Sequence, residues 1–448
     1  MGGSLRDRLL GRTPKDVDIA VHGDPELFAR ELATQLNSRV IAMGRQTHPM
    51  FRVVTQKRIF DISPLQGLTI EEDLAHRDFT VNALAYETLS AKIIDVGHGL
   101  RDIEEKRIRQ VAKTCFQEDP LRLLRAFRIA AQLNFQIEAR TLETIRAKAH
   151  LISKPAAERI RSELFGILKA PGTHAWLREM ADSGILFEIL PEMKAMKGCL
   201  QNKYHTFDVF EHTLQTVYHM EVLTYRDPNH DPANGPMVPP MDGSQQTRLK
   251  LAALLHDMGK PLSLQRAKDG HARFTGHASI GARMVSGIGD RLRFSLNEIE
   301  YAVKMVQYHL RPLLLFNARR EMTLTQRGIT RFFMKTHALT ADILMLSLAD
   351  KRAKQASAKT SDSKFEQFVM ELIHQYDLVF RPSLETPPLI SGHDLIHHLH
   401  LTPSPLFKQL LTRTRELQLA GQISTRKAAL EFAADVIAGN LPLTLDIA

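Results

Sequence analysis

Asp16 and Asp18 stand two residues apart at the head of an apolar run, Ile19-Ala20-Val21. In a strand, residues two apart project to one face, so the two carboxylates point together. Aligned carboxylates are costly unless a cation lies between them, and hard divalent ions take oxygen ligands. Just upstream, Gly2 and Gly3 open a turn, and Ser4 to Leu10 read as one or two helical turns. A glycine turn with free N–H groups beside a carboxylate pair suits a magnesium-bound triphosphate. The chemistry implied is phosphoryl or nucleotidyl transfer by metal ions. An isolated Asp-x-Asp is more often a turn or a strand edge. The weight comes from the whole string: Gly2-Gly3, Arg6-Asp7, Gly11, then Asp16-x-Asp18.

A second constellation is spread over residues 212–350: His212, His256-Asp257, His277, His309 and Asp350. A lone histidine on an apolar helix is usually a satisfied core residue. A His-Asp pair directly after Leu254-Leu255 is different, because burying both groups is expensive unless a metal or a partner satisfies them. Imidazole and carboxylate together suit manganese, nickel, iron or zinc better than magnesium.

Other candidates lie between these two. Asp61, in Arg58-Ile-Phe-Asp-Ile, is a third carboxylate that either joins the metal site or ends a strand. In His76-Arg77-Asp78-Phe79-Thr80-Val81-Asn82, Asp78 and Asn82 are suited to ribose hydroxyls and Arg77 to phosphate or sugar. The plain reading is a helix start capped by Asp78, with core from Val81 onward. Asp119 and Arg122 are three apart near a helix start at Pro120. Side by side, they would offer an acceptor and paired donors to the Watson–Crick edge of a base. A solvated i,i+3 salt bridge is the commoner alternative.

The elements that must hold these residues follow from the pattern. Pro25 to Leu36 reads as a helix; Arg39 to Met43, Met50 to Val54 and Arg58 onward read as strands. After about residue 111 helical periodicity takes over. The expected class is an α+β head with a mixed sheet, followed by all-α regions. The divisions are 1–111 (head), 112–195 (helical neck, binding base and RNA), 196–355 (metal-binding helical domain) and 356–448 (helical tail). Tyr225 to Thr247 reads as a surface insertion, and Gln355 to Phe365 as a polar link.

The chain has 448 residues, enough for several domains, and a net charge of +9, which favours a polyanionic partner. Cys115 and Cys199 are too few for a disulfide framework, so a reducing cytoplasm is expected. No uninterrupted apolar run reaches the length of a membrane span and no signal peptide is visible, so no membrane association is expected. One Trp and seven Tyr argue against a surface dominated by Trp or Tyr stacking.

Taken jointly, the motifs resemble those of the class II tRNA nucleotidyltransferase (CCA-adding enzyme) and bacterial poly(A) polymerase family, built on a polymerase-beta type of fold. The resemblance runs from Gly2-Gly3…Asp16-x-Asp18 through Arg77-Asp78-Phe-Thr-x-Asn82, Asp95-Val-Gly-His98-Gly99…Asp102 and Glu118-Asp119-x-x-Arg122 to Ala157-Glu158-Arg159. It implies catalytic and magnesium-binding roles for Asp16 and Asp18, with Asp61 a plausible ligand. It implies nucleotide contacts from Gly2, Gly3, Ser4, Arg6, Arg77, Asp78, Asn82 and Arg125, and base selection by Asp119 and Arg122. Partners would be CTP, ATP and the 3′ acceptor end of tRNA, with no DNA. His76 and His98 replace an Arg and a Gly of the family pattern. The helical tail, 356–448, resembles the C-terminal part that binds tRNA by gripping its elbow, with recognition expected by backbone and shape; family glycines there are replaced by His400 and Ser404. Relatives carry a helix and a strand before the Gly-Gly turn, so the given start is expected to lie inside the natural chain. The short segment between Asp61 and Glu71 lacks the long loop that many CCA-adding relatives use to switch to ATP, which tilts the expectation toward CC addition. The histidine series resembles the HD metal-dependent phosphohydrolases: His212, His256, Asp257 and Asp350 would be core ligands, with His277 and His309 serving a second ion or a phosphate. Alternatives are a poly(A) polymerase, an HD phosphohydrolase whose head only docks RNA, or an RNA-binding protein without catalysis.

Overall fold

Alternation along a single strand decides which side of the head is core and which is site. In β1 (Asp16–Val21), Ile19 and Val21 pack on a buried cluster of Ala29, Ala33, Phe51, Val53 and Ile62. Asp16 and Asp18, on the opposite face by the two-residue period, are left outside that cluster. This computed structural model describes residues 1–14, 16–45, 48–201, 206–224, 241–266, 272–354 and 363–441. Residues 225–240 of the expected insertion (225–247) and 355–362 of the expected link (355–365) lie outside them; Gly243 to Thr247 and Ser363 to Phe365, expected in those segments, instead begin helices.

The chain divides into two compact units, Met1–Lys194 with Arg291–Phe294, and Ala195–Asp290 with Ser295–Ala448. The first begins with α1 (Gly3–Leu9), then β1 and α2 (Pro25–Gln35). Asp24 starts α2 by accepting from the N–H groups of Glu26 and Leu27, and Pro25 suits the first turn. β2 (Val40–Arg45), β3 (His48–Val54) and β4 (Ile59–Pro64) complete a mixed sheet in the order β1-β4-β3-β2. β1 runs parallel to β4, with Asp18 opposite Asp61; the other pairings are antiparallel. α3 (Ile70–Ala75) follows, then a 3-10 turn (Thr80–Asn82) and the hairpin of β5 (Leu84–Glu87) and β6 (Lys92–Asp95).

That turn corrects the expectation of a helix from Val81. Leu84 and Ala85 instead join β5, paired to Asp95 and Ile94. The next motif is a packing device. Asp95 caps α4 (Gly99–Glu104) through the N–H groups of Gly97, Gly99 and Leu100. Buried Asp102 accepts from Thr80 Oγ1 at 2.6 Å and pairs with Arg109 at 3.0 Å. A Cβ on Gly99 would stand 2.2 Å from the Thr80 carbonyl oxygen, so no larger residue fits. His98, where the family pattern has Gly, and His400 in the tail both adopt positive φ, 61° and 51°.

The neck is helical: α5 (Cys115–Glu118), α6 (Arg122–Leu133), α7 (Ala139–Lys148), α8 (Ala157–Lys169), α9 (Thr173–Asp182) and α10 (Ile185–Ile189). One short parallel pairing persists there, β7 (Arg107–Ile108) with β8 (Gln136–Ile137). Asp119 is not on a helix face as expected. It precedes α6 in extended conformation (φ −137°, ψ 99°), with its Oδ1 accepting from Leu121 N–H.

The second unit contains α11 (Val209–Thr224), α12 (Gly243–Leu255), α13 (Lys260–Ser263), the ribbon β9 (Gln265–Arg266) and β10 (Ala272–Arg273), α14 (His277–Arg291), α15 (Leu296–Tyr308), α16 (Arg311–Arg320), α17 (Gln326–Thr336) and α18 (Thr340–Arg352). Beyond these come α19 (Ser363–Gln375), α20 (Arg381–Ser383), α21 (Gly392–Leu399), α22 (Pro405–Leu419) and α23 (Arg426–Ile437). The last three enclose a small core of Ile390, Leu395, Leu410, Ala429 and Ala433. One stretch, Gln326–Arg352, is long and apolar enough by composition to cross a membrane, which counting uninterrupted apolar residues missed. Its apolar window is 67% buried inside the structure, as a core helix would be.

Gly99→Ala should cost about 1–3 kcal/mol by overpacking. Gly287→Ala, in α14 with open space around its Cβ, should be neutral or stabilising by about 0.5–1 kcal/mol. Urea midpoints of the two variants against the unaltered chain test the contrast.

Candidate active site and metal centre

In the first unit a cavity of about 430 Å³ is lined on one side by Asp18, Asp61, Arg6 and Arg77, and on the other by Asp119, Arg122, Arg125 and Arg128. The three arginines recur every third residue of α6, while Leu123, Leu124, Phe127, Ala130 and Ala131 are buried. One helix face therefore packs while the other lines the cavity with cations.

Asp18 is the pivotal carboxylate. Burial pushes its pKa above the ordinary range, Asp61 and Asp16 add to the push, and Arg77 opposes it. A carboxyl group raised this way favours a bound cation. Asp16, on the same strand face, stands exposed. Asp61 is not open: Arg52 donates to both its oxygens at 2.7 and 2.8 Å. Gly2 has a role other than the one expected. Its N–H is used by the Leu84 carbonyl at 2.9 Å, so it is not free for a phosphate. Its φ is +71°, and a Cβ would stand 2.6 Å from Arg77 Nη1 and 3.3 Å from Asp18 Oδ2. Glycine here lets Arg77 approach the carboxylate. Gly3 begins α1. Ser4 Oγ donates to Met1 O at 2.8 Å and accepts from Asp18 N–H at 3.3 Å, tying turn to strand.

The remaining candidates form a linked set. Arg6 reaches Asn82 Oδ1 at 2.5 Å, Asn82 Nδ2 donates to Asp78 Oδ1 at 2.9 Å, and Arg125 Nε lies 2.7 Å from Asp78 Oδ2. Asp119 and Arg122 are not paired to each other. Asp119 meets Arg159 of α8 at 2.8 Å; Arg122 meets Glu118 at 3.3 Å and donates to the His76 carbonyl at 2.7 Å. α8 thus braces the motif, with a second tie from Glu163 to Arg128 at 2.5 Å. Sequence reasoning missed Asp73, Gln66 and Arg128 in this wall. The three-residue arginine repeat was the signal for Arg128. Asp73 lay four residues before Arg77, with which it pairs at 3.1 Å.

In the second unit all six expected ligands converge. Two triples have ligand atoms within 4.8 Å of one another: His212, His256 and Asp350, and Asp257, His277 and His309. This regroups the expected set, because Asp257 falls with the second pair. Its oxygens in fact face both groups: Oδ2 lies 3.0 Å from His256 Nε2 and 3.4 Å from His212 Nε2, and Oδ1 lies 3.4 Å from His277 Nε2 and 3.8 Å from His309 Nε2. Nδ1 of His256, His277 and His309 meets the carbonyls of Ala253, Phe274 and Val306 at 2.8, 2.7 and 2.6 Å. That leaves each Nε2 lone pair facing inward, the tautomer a metal requires. Burial, with His256 and His277 adding, pushes His309 down to about 3, so it is neutral near pH 7. Burial also pushes His256 down, but Asp257 and Asp350 outweigh it and raise it. Asp257 is held well below the usual range by His256, Lys260 and His212, against the upward push of burial. His256 Nε2 and Asp257 Oδ1 are buried without a hydrogen bond. Orphaned ligand atoms in a buried set of histidines and aspartates fit a divalent ion.

Beside this centre opens a cavity of about 370 Å³ lined by Lys260, Arg273, Phe274 and Lys354. Lys260 was missed in the sequence. It follows Asp257 by three residues, and its Nζ lies 2.6 Å from Asp257 Oδ2.

Family models match for the poly A polymerase head domain over residues 1–109, the probable RNA and SrmB-binding site of polymerase A over 134–197, and the HD domain over 209–353. The CC-adding tRNA nucleotidyltransferase of Thermus thermophilus is 31% identical over 96% of this chain and 92% of its own. The A-adding tRNA nucleotidyltransferase of Deinococcus radiodurans is 30% identical over 96% and 94%. A solved CCA-adding enzyme complex with ATP covers 98% of this chain and 90% of that one, with a TM-score of 0.65 at 18% identity. The Thermotoga maritima CCA-adding enzyme complexed with tRNA gives 0.61 at 18% identity over the same shares. At such identity these structures speak for the fold. Matched along nearly its whole length, the chain belongs to the tRNA nucleotidyltransferase and poly(A) polymerase family, and it is a nucleotidyltransferase that also carries an HD domain.

Proposed function

We propose that the chain adds all or part of the terminal CCA to the 3′ end of tRNA from CTP and ATP, with CC addition favoured. The observation that carries this reading is the single cavity shared by the Asp18 face of β1 and the arginine face of α6. The tRNA 3′ hydroxyl attacks the α-phosphate, a new phosphodiester bond forms, pyrophosphate leaves and the hydroxyl proton passes to solvent. Asp16 and Asp18 would hold magnesium, with Asp61 beside them; the bound ions supply activation of the hydroxyl and neutralisation of the triphosphate. Arg6, Arg77, Arg125 and Arg128 supply cations along the cavity for the triphosphate. Asp78 and Asn82 are held by Arg125 and Arg6 near the place a ribose would occupy. Asp119 and Arg122 read the base edge. Their outer partners Arg159, Glu118 and the His76 carbonyl hold both side chains still, as discrimination between bases demands.

The choice of CC over CCA addition rests on the loop between β4 and α3. It is short and tied at two points: Gln66 N–H donates to Asp73 at 2.9 Å, and Leu68 N–H to Glu72 at 2.6 Å. A loop so anchored has little freedom to reshape the base pocket after two cytidines. Poly(A) synthesis and a purely docking head are the less favoured alternatives. We further assign the HD centre an accessory phosphohydrolase role: His212, His256, Asp257 and Asp350 would hold one divalent transition metal, and His277 and His309 a second ion or a phosphate. Lys260, Arg273 and Lys354 would receive the anionic group. Two buried, unpaired cysteines agree with a cytoplasmic setting.

Purified protein with magnesium, given tRNA ending at the discriminator base, at C or at CC, should extend the first two to CC and add no A. A complete CCA tail would reject the loop argument, and a long A tract would reject tRNA end repair. Asp18→Ala should lower addition by at least roughly a thousandfold with an unchanged melting temperature. Arg122→Ala should relax CTP and ATP selectivity more than it weakens tRNA binding; unchanged selectivity would remove it from base reading. After chelation, His212→Ala and His309→Ala should each lose a different class of manganese site by calorimetry. Identical loss in both would mean one site, not two.

A further inference from the structure

Each carboxylate of the HD centre has a lysine beside it. Lys260 Nζ lies 2.6 Å from Asp257 Oδ2, and Lys354 Nζ lies 3.5 Å from Asp350 Oδ2. The two lysines line the cavity beside the centre together with Arg273. Their side chains are only 8% and 17% exposed, so water screens these charges poorly. Asp257 Oδ2 is also the oxygen that faces His256 Nε2 at 3.0 Å and His212 Nε2 at 3.4 Å. It is therefore the oxygen this aspartate would offer to an ion held by those two histidines, and the Lys260 ammonium competes for it. Lys260 has other partners on the cavity wall: Gln201 Oε1 accepts from Nζ at 2.6 Å, and the Phe274 ring centre lies 5.7 Å from it. These could keep the ammonium at the cavity if it gave up the carboxylate.

We propose that Lys260 and Lys354 couple the two ligands of this centre, opposing a divalent metal ion that binds alone and favouring it when a phosphate dianion fills the cavity. The inference rests on the metal-binding reading of the HD centre. Two aspartates and two lysines already balance in charge. A divalent ion adds two positive charges beside two ammonium groups in a buried setting, where like charges repel strongly. A phosphate monoanion returns only half of that balance. A phosphate group carrying about 1.5–2 negative charges near pH 7 returns nearly all of it. It would also give the lysines and Arg273 an acceptor in place of the carboxylates. Linkage makes the effect reciprocal: the factor by which phosphate tightens the metal is the factor by which the metal tightens phosphate.

The test is calorimetric titration of manganese into the whole, chelated protein, with and without inorganic phosphate. The class of manganese site lost in His212→Ala identifies the HD centre. Phosphate should tighten that class about tenfold in the unaltered protein. Dimethyl phosphate, a monoanion, should give a clearly smaller gain. Lys260→Met should bind manganese about tenfold more tightly without phosphate, and phosphate should then add less than twofold. Lys260→Arg, which keeps the charge, should behave like the unaltered protein. If Lys260→Met fails to fold, Lys354→Met carries the same test with an effect of roughly threefold, as its longer ion pair demands. Manganese affinity that is equal with and without phosphate, and no tighter in the methionine variants, would overturn the coupling and leave the metal reading intact. Weaker manganese binding in Lys260→Met would also overturn it, because the lysine would then support the ligands and not compete with the ion. An equal gain from dimethyl phosphate would remove charge balance as the cause. No manganese class that depends on His212 would sink the metal reading and the coupling with it.

Discussion

Parallel pairing of β1 with β4 is the constraint on which the head depends. It sets Asp18 opposite Asp61 while Ile19 and Val21 enter the core. A slip of one residue would send the carboxylates inward and the aliphatic side chains out. The register is therefore defended by the same apolar burial that stabilises the sheet. Gly2 adds a second restriction on the same spot, because only a residue without Cβ admits the Arg77 guanidinium beside Asp18. Carboxylate repulsion at the edge of the cavity is thus moderated by Arg77 and by Arg52 on Asp61.

The HD centre solves a related problem by a different route. Four imidazoles and two carboxylates are buried together, which is costly unless opposite charges and lone pairs are matched. Backbone carbonyls fix the inner tautomer of His256, His277 and His309, and Asp257 faces both ligand groups. Lys260 supplies a cation at the shared carboxylate. In the head the charges line an open cavity that a substrate enters; in the HD unit most of them are buried, with a smaller cavity alongside.

Much of this was legible in the chain itself. Two-residue alternation around Asp16 and Asp18 and the His-Asp pair after Leu254-Leu255 are local patterns with local physical causes. They marked the strand and the buried ligands, and the joint motifs marked the family. At His98 and His400, where the family pattern has Gly, residues with a Cβ adopt the positive φ that glycine usually takes.

What only the tertiary structure decided is which groups meet. The sequence placed Asp119 and Arg122 three apart; folding gave each a different partner, Arg159 from α8 and Glu118 with the His76 carbonyl. It likewise moved Asp257 between two ligand groups, paired Asp61 with Arg52 and used up the Gly2 N–H. The physical reason is range. Strand alternation, helix spacing and capping act over a few residues and can be read along the chain. Hydrogen bonds and ion pairs between residues tens of positions apart depend on how the elements pack, and periodicity does not encode that packing.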